Sequence, residues 1–96
     1  MDVLVAYDID TTTRSGQRRL ARVAKICEGY GIRVQYSLFE CRLTEADLAR
    51  LKIELEDVLD TDVDHVRFYR FAGDVADSRQ TLGTSSVSEL EDLWVW

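Results

Sequence analysis

The stretch Ile32–Leu43, IRVQYSLFECRL, decides how many strands this chain has. It alternates as a strand does, with Ile32, Val34, Tyr36 and Leu38 facing one way and Arg33, Gln35, Ser37 and Phe39 the other. Twelve residues suit either one long strand or two short ones joined tightly, and no Gly, Pro or Asn marks a hairpin within the run. One strand gives the order strand, helix, strand, helix, strand; two give βαββαβ. Either order makes an α+β sandwich with both helices on one face of an antiparallel sheet.

Upstream, Gly29 and Gly31 bracket Tyr30 as stop signals for a helix that begins near Arg14. Its apolar stripe is Leu20, Val23, Ala24 and Cys27, at i, i+3, i+4 and i+7. The opposite face carries Arg14, Arg18, Arg22 and Lys25 as one basic stripe. Solvation alone accounts for such a stripe, but its place directly after a turn rich in carboxylates favours a phosphate-binding face. Before that turn, Asp2–Tyr7 is a strand of continuous apolar and β-branched residues, followed by Asp8 and Asp10 in AYDID. Carboxylates one residue apart at a strand end are either turn-formers or the start of a metal site.

Downstream, Thr44-Glu45-Ala46-Asp47 reads as a capping box with Asp in the usual Glu/Gln place, opening a helix to about Leu59. Leu48, Leu51, Leu55, Val58 and Leu59 form its inner side. A polar connection, Asp60–Asp64, leads to a strand from His65 to Phe71. Beyond Gly73 the signals weaken to a short strand at Arg79–Leu82, a polar stretch, and the apolar end Leu90–Trp96.

Ninety-six residues make one domain, and 46% hydrophobic with 31% charged residues describes a soluble globular chain with no membrane span. No basic leader or cleavage site marks the start for export, so a cytoplasmic protein is expected. Cys27 and Cys41 read as small core residues rather than a disulfide framework or zinc site, and His65 as structural or exposed. The net charge of −6 argues against a nucleic-acid partner only if it is evenly spread. It is not: Arg14–Arg42 holds seven basic and two acidic residues, a balance of +5, while Leu43–Asp64 holds two and eight, a balance of −6.

YDI after an apolar first strand, a basic helix ending in GYGIRVQYSLFE, and CRLTEADL opening the second helix together resemble the CRISPR-associated protein 2 family, the small subunit of spacer acquisition. The likeness runs from Met1 to about Gly83, and RVQYSLFE is its most specific part. It implies a ferredoxin-like homodimer, with Ile32–Leu43 as two short strands. It also implies that Asp8 is the catalytic, metal-binding acid of an endonuclease using magnesium or another divalent cation such as manganese. Family members bridge dimers of the CRISPR-associated integrase, the protein 1 family, so integrase and nucleic acid, RNA or duplex DNA, are the implied partners.

Magnesium suits phosphodiester hydrolysis when carboxylates hold it and leave coordination positions open. One Asp per chain is meagre, but a two-fold axis beside Asp8 would build a two-carboxylate site from one strand end. Asp10 either assists the metal through water or caps the turn. Ser37 and Phe39 match the family's S-x-F-E pattern, with Ser37 placed to hydrogen-bond a phosphate and Phe39 to pack at the cleft or at the dimer seam. The alternative function is a catalytically silent, DNA-binding architectural adaptor of the integrase. A small-molecule regulatory module is disfavoured by the basic first helix and the lack of a glycine-rich loop, and an RNA-recognition module by its missing aromatic motif. Residues 84–96 depart from short-tailed members of the family. Trp94, Val95 and Trp96 are too apolar to remain free, and are expected to form a strand or an anchor in the homodimer or against the integrase.

Overall fold

In a computed structural model, which describes residues 1–83, the run from Ile32 divides into two strands joined at Tyr36 and Ser37. The expected tail anchor, Trp94 to Trp96, lies outside the described residues. The order is β1 (Asp2–Asp8), α1 (Arg14–Glu28), β2 (Gly31–Gln35), β3 (Leu38–Arg42), α2 (Glu45–Val58), β4 (His65–Arg70) and a single turn of helix, α3 (Val75–Ser78). The four strands form one antiparallel sheet in the order β2-β3-β1-β4. This is the ferredoxin-like βαββαβ arrangement.

The hairpin forms without Gly or Asn for a physical reason. Among the described residues only Gly83 has a positive φ, so the turn at Tyr36–Ser37 is not one of the primed types that demand those residues. A register shift between Arg33 and Gln35 absorbs the irregularity instead. The turn is then held from outside by β1: the Tyr7 N–H donates to Ser37 O at 3.0 Å and the Tyr7 hydroxyl to Tyr36 O at 3.0 Å. Because of the shift, simple alternation fails across the turn, and Arg33 pairs with Phe39 while Gln35 pairs with Leu38.

One face of the sheet carries the core. Val3, Val5, Tyr7, Phe39 and Cys41 are buried there against Val23, Ala24 and Cys27 of α1 and Leu48, Leu51 and Leu55 of α2. Between α1 and β2 the chain passes so close to β3 that a Cβ on Gly31 would stand 2.4 Å from Cys41 Sγ. Both cysteines are free and buried, and burial pushes each thiol up to about 12. Helix α2 starts with the expected box: Thr44 Oγ1 accepts from the Asp47 N–H at 3.1 Å and Asp47 Oδ2 from the Thr44 N–H at 3.3 Å.

The other face has no helix on it. Leu4, Ala6 and Leu38 are half-buried there, and Tyr69 is exposed. No strand forms at 79–82, contrary to the sequence-based expectation. The Arg79 N–H closes onto Ala76 O of α3, its guanidinium pairs with the carboxylate of Glu40 on β3, and Leu82 is exposed. The segment lies beside Leu4, Val34 and Leu38 without joining the sheet.

Candidate metal and nucleic-acid site at the end of the first strand

Asp8 is the last residue of β1 and its side chain is exposed. Alternation from the buried Val3, Val5 and Tyr7 turns it towards the open face. Among the described residues its carboxylate makes no hydrogen bond or ion pair, and its cross-strand partner on β4 is His65, also exposed. Nothing along the chain sets His65 beside Asp8, since only the β1–β4 register brings them together.

Asp10 is occupied locally. Its Oδ1 accepts from the Thr12 N–H at 2.9 Å and the Thr12 hydroxyl at 2.6 Å, and these bonds hold its carboxyl below the usual aspartate range. The N-cap of α1 is Thr13, whose Oγ1 accepts from the Gly16 N–H at 3.0 Å. Gly16 faces the turn so closely that a Cβ would fall 1.8 Å from Asp10 O.

A third carboxylate, which the sequence reading passed over as part of a polar connection, fixes this loop. Asp64 is buried; its Oδ1 accepts from the Asp10 N–H at 2.9 Å, and its Oδ2 from Arg19 Nε at 2.7 Å and from the Asp60 N–H at 3.1 Å. Burial opposes its charge most strongly, yet the Arg19 guanidinium and the two backbone N–H groups together bring its pKa below the ordinary 3.8. Asp64 therefore ties the β1–α1 loop, α1 and the start of β4 into one unit behind Asp8. The available signal was an arginine, Arg19, lying off the basic stripe, together with one acid placed just before a strand.

In front of Asp8 an open groove of about 500 Å³ runs between α1 and the β2–β3 turn. Tyr7 and Ile9 lie at its base, Gln17 and Ala21 on the α1 side, and Arg33, Tyr36 and Ser37 on the other. Burial raises the Tyr7 pKa, so its hydroxyl keeps the proton it donates to Tyr36 O. Ser37 thus lies in the same groove as Asp8. Phe39, expected at the cleft or at a seam between chains, is instead fully buried inside this chain, stacked on Tyr7 at 6.1 Å and covered by the Arg33 guanidinium at 5.2 Å. Its pairing with buried Val5 of β1 is the cause, since it sets Phe39 on the helix-covered side of the sheet. Arg33 was missed as a site residue because alternation alone says nothing about which face opens on the groove.

Arg14, Arg18, Arg22 and Lys25 are all exposed, and among the described residues none is paired with a carboxylate. At 3.6 residues per turn the stripe lies next round the helix from Gln17 and Ala21, so it flanks the groove. These cations, unpaired among the described residues, give the groove around Asp8 a basic flank.

Among the described residues no cluster of three acidic, His or Cys side chains could hold a metal, so these residues form no closed cage. An exposed, unpartnered carboxylate does fit magnesium, which keeps several waters and takes one or two carboxylates together with substrate phosphates.

Comparison with known proteins agrees in sequence and in fold. The sequence profile described as CRISPR associated protein Cas2 matches residues 1–78. The chain is 39% identical over 92 residues to the CRISPR-associated endonuclease Cas2 of Halalkalibacterium halodurans, covering 96% of each chain. It is 48% identical over 69 residues to the CRISPR-associated endoribonuclease Cas2 of Chlorobaculum tepidum, covering 72% of each. The crystal structure of Streptococcus pyogenes Cas2 superposes with a TM-score of 0.79 at 43% identity, covering 86% of this chain and all of that one. With the strand order, the placement of Asp8 and a profile that matches most of its length, the chain belongs to the CRISPR-associated protein Cas2 family.

Proposed function

We propose that this chain is the small subunit of CRISPR spacer acquisition and a divalent-metal-dependent endonuclease acting on phosphodiester bonds of RNA or DNA. One observation carries the enzymatic part: Asp8 is held at a rigid strand end, exposed and unpartnered, in a groove flanked by unpaired cations. The names of the relatives, endonuclease and endoribonuclease, support the reaction class. A second copy supplies the second carboxylate: a two-fold axis through the helix-free face near Asp8 brings two strand ends together. Half-buried Leu4 and Leu38 with exposed Tyr69 give that face the apolar surface a homodimer would cover.

In this reading Arg14, Arg18, Arg22 and Lys25 hold the phosphate backbone and set its register, and Ser37 donates to a phosphate oxygen. Asp8 and its symmetry mate would hold magnesium or manganese, which would supply charge neutralisation at the phosphate and a water of lowered pKa. Water oxygen bonds to phosphorus, the bridging P–O bond breaks, and the leaving oxygen takes a proton. The protein works in the cytoplasm and bridges integrase dimers, as its family membership supports.

The second reading is an architectural DNA-binding adaptor without catalysis. It is favoured by one observation, that among the described residues the groove offers one unpartnered carboxylate, Asp8, where the basic stripe offers four cations. Cleavage of labelled RNA and duplex DNA, with magnesium and with chelator, separates the two. Cleavage that needs the metal and disappears in Asp8→Asn supports the enzyme. Cleavage undiminished in Asp8→Asn rules out this site, and wild-type protein that binds but never cuts leaves the adaptor.

A further inference from the structure

The most exposed aromatic among the described residues is Tyr36, at 93%. It occupies the tip of a two-residue turn that needs no aromatic for its geometry, and no described neighbour packs on its ring. An aromatic ring in water at a surface this polar calls for an occupant.

Three features narrow that occupant. First, the ring is carried on a fixed platform, because Tyr7 donates its hydroxyl to Tyr36 O and its N–H to Ser37 O, each at 3.0 Å. Second, Tyr36 borders two open grooves, one of about 500 Å³ shared with Asp8, Gln17, Arg33 and Ser37, the other of about 590 Å³ along Arg33–Ser37. These volumes are those of sites for small molecules of nucleotide size. Third, Gln17, Arg33 and Ser37 bring donors and a guanidinium into the groove, which suit phosphate and sugar oxygens, while the Tyr36 ring is the aromatic face left open to solvent at its rim. Nucleobases stack on such rings whatever their sequence, but a base inside a duplex has no free face to offer.

We infer that Tyr36 is a stacking platform for one unpaired nucleobase, adjacent to the phosphate that Ser37 and the basic stripe hold in the groove beside Asp8. This rests on the nucleic-acid reading above and deepens it: the preferred strand is single-stranded or locally opened at the site. The platform positions the strand, and Tyr36 is a positioning residue, not a catalytic one.

The test compares binding, in metal-free buffer so that nothing is cut, of a labelled oligodeoxythymidylate, an abasic deoxyribose-phosphate strand of equal length and a duplex. Wild type should prefer the base-bearing strand to the abasic one by about 5- to 150-fold, the range of a single stacked base. Tyr36→Ala should abolish that preference with duplex binding and thermal unfolding unchanged, and Tyr36→Trp should restore it. A preference that survives Tyr36→Ala overturns the platform while leaving phosphate binding in place. If wild type binds none of the three probes, the platform falls together with the nucleic-acid reading. If Tyr36→Ala instead halves the mass in solution, the ring belongs to a contact between copies and the inference is wrong.

Discussion

Asp8 and Asp64 stand at the same end of the sheet, one closing β1 and the other immediately preceding β4, yet they live in opposite environments. Asp64 is buried, ion-paired to Arg19 and bonded to two backbone N–H groups. Asp8 is exposed and makes no bond among the described residues. A carboxylate whose acceptor sites are all used is a strut, whereas one whose lone pairs are free is available to a ligand. The fold assigns these roles, because the two residue types are identical. The strut also serves the site: Asp64 holds the Asp10 backbone and α1, and so fixes the loop and the basic helix around Asp8.

The sharpest break of this comparison is exchange of each acid for its amide. Asp8→Asn should lower metal-dependent cleavage about a thousandfold or more, roughly 4 kcal/mol, with the unfolding midpoint unmoved because an exposed, unbonded side chain adds little stability. Single-turnover cleavage and denaturant unfolding on the same preparations check it, and a shifted midpoint would mean that Asp8 too is structural.

Asp64→Asn should do the reverse and cost roughly 2–3 kcal/mol of stability, since the buried charge-assisted bonds to Arg19 lose one ionised partner. The pH dependence carries the same signature. The folded Asp64 pKa is depressed, so its contribution is complete above the ordinary value of 3.8 and is lost as pH falls through the folded value. The stability gap between wild type and Asp64→Asn should therefore be level near neutrality and close in acid. A gap that persists in strong acid would assign the effect to shape rather than charge.

Gly16→Ala tests the same strut from the helix side. Alanine favours helix, but here its Cβ would fall on Asp10 O, and the loop must yield. A loss of about 1–3 kcal/mol is expected from such overpacking, with cleavage reduced because the loop carrying Asp10 moves. Unchanged or higher stability would show that the loop is softer than the Asp64 bonds imply.

The smallest effect concerns the groove's flank. Arg18→Ala combined with Arg22→Ala removes two exposed cations, so the slope of log affinity against log salt for duplex DNA should fall by about 2 with stability unaltered. An unchanged slope would reduce the stripe to a solvated helix face.

Much of this molecule could be read from the chain. The apolar stripe Leu20, Val23, Ala24 and Cys27 gave α1, the Thr44–Asp47 box gave the start of α2, and the helix boundaries fall within two residues of expectation because capping and periodicity act locally. Asp8 could be singled out because a strand end is a local feature too. Phe39 was misplaced because alternation groups residues by face without saying which face the helices cover, and only its pairing with Val5 of β1 decides that. Residues 79–82 were misread because strand propensity is settled by tertiary context, and here the segment is held beside the sheet by the Arg79–Glu40 side-chain pair without a backbone ladder.

The sequence by itself determined the helices, the apolar strands, the uneven charge and a motif that places the chain in its family, all properties of residues close together along the chain. Only the tertiary structure decided which acid is a strut and which is free. Asp64 meets Asp10 and Arg19 across 54 and 45 residues, and Asp8 meets His65 only through the β1–β4 register. The hairpin at Tyr36–Ser37 was likewise settled by Tyr7, 29 residues upstream of Tyr36, whose two hydrogen bonds supply the restraint that local turn chemistry lacks. Long-range bonds of this kind replace weak local preferences wherever a buried donor must find a partner, and no pattern along the chain records which partner it finds.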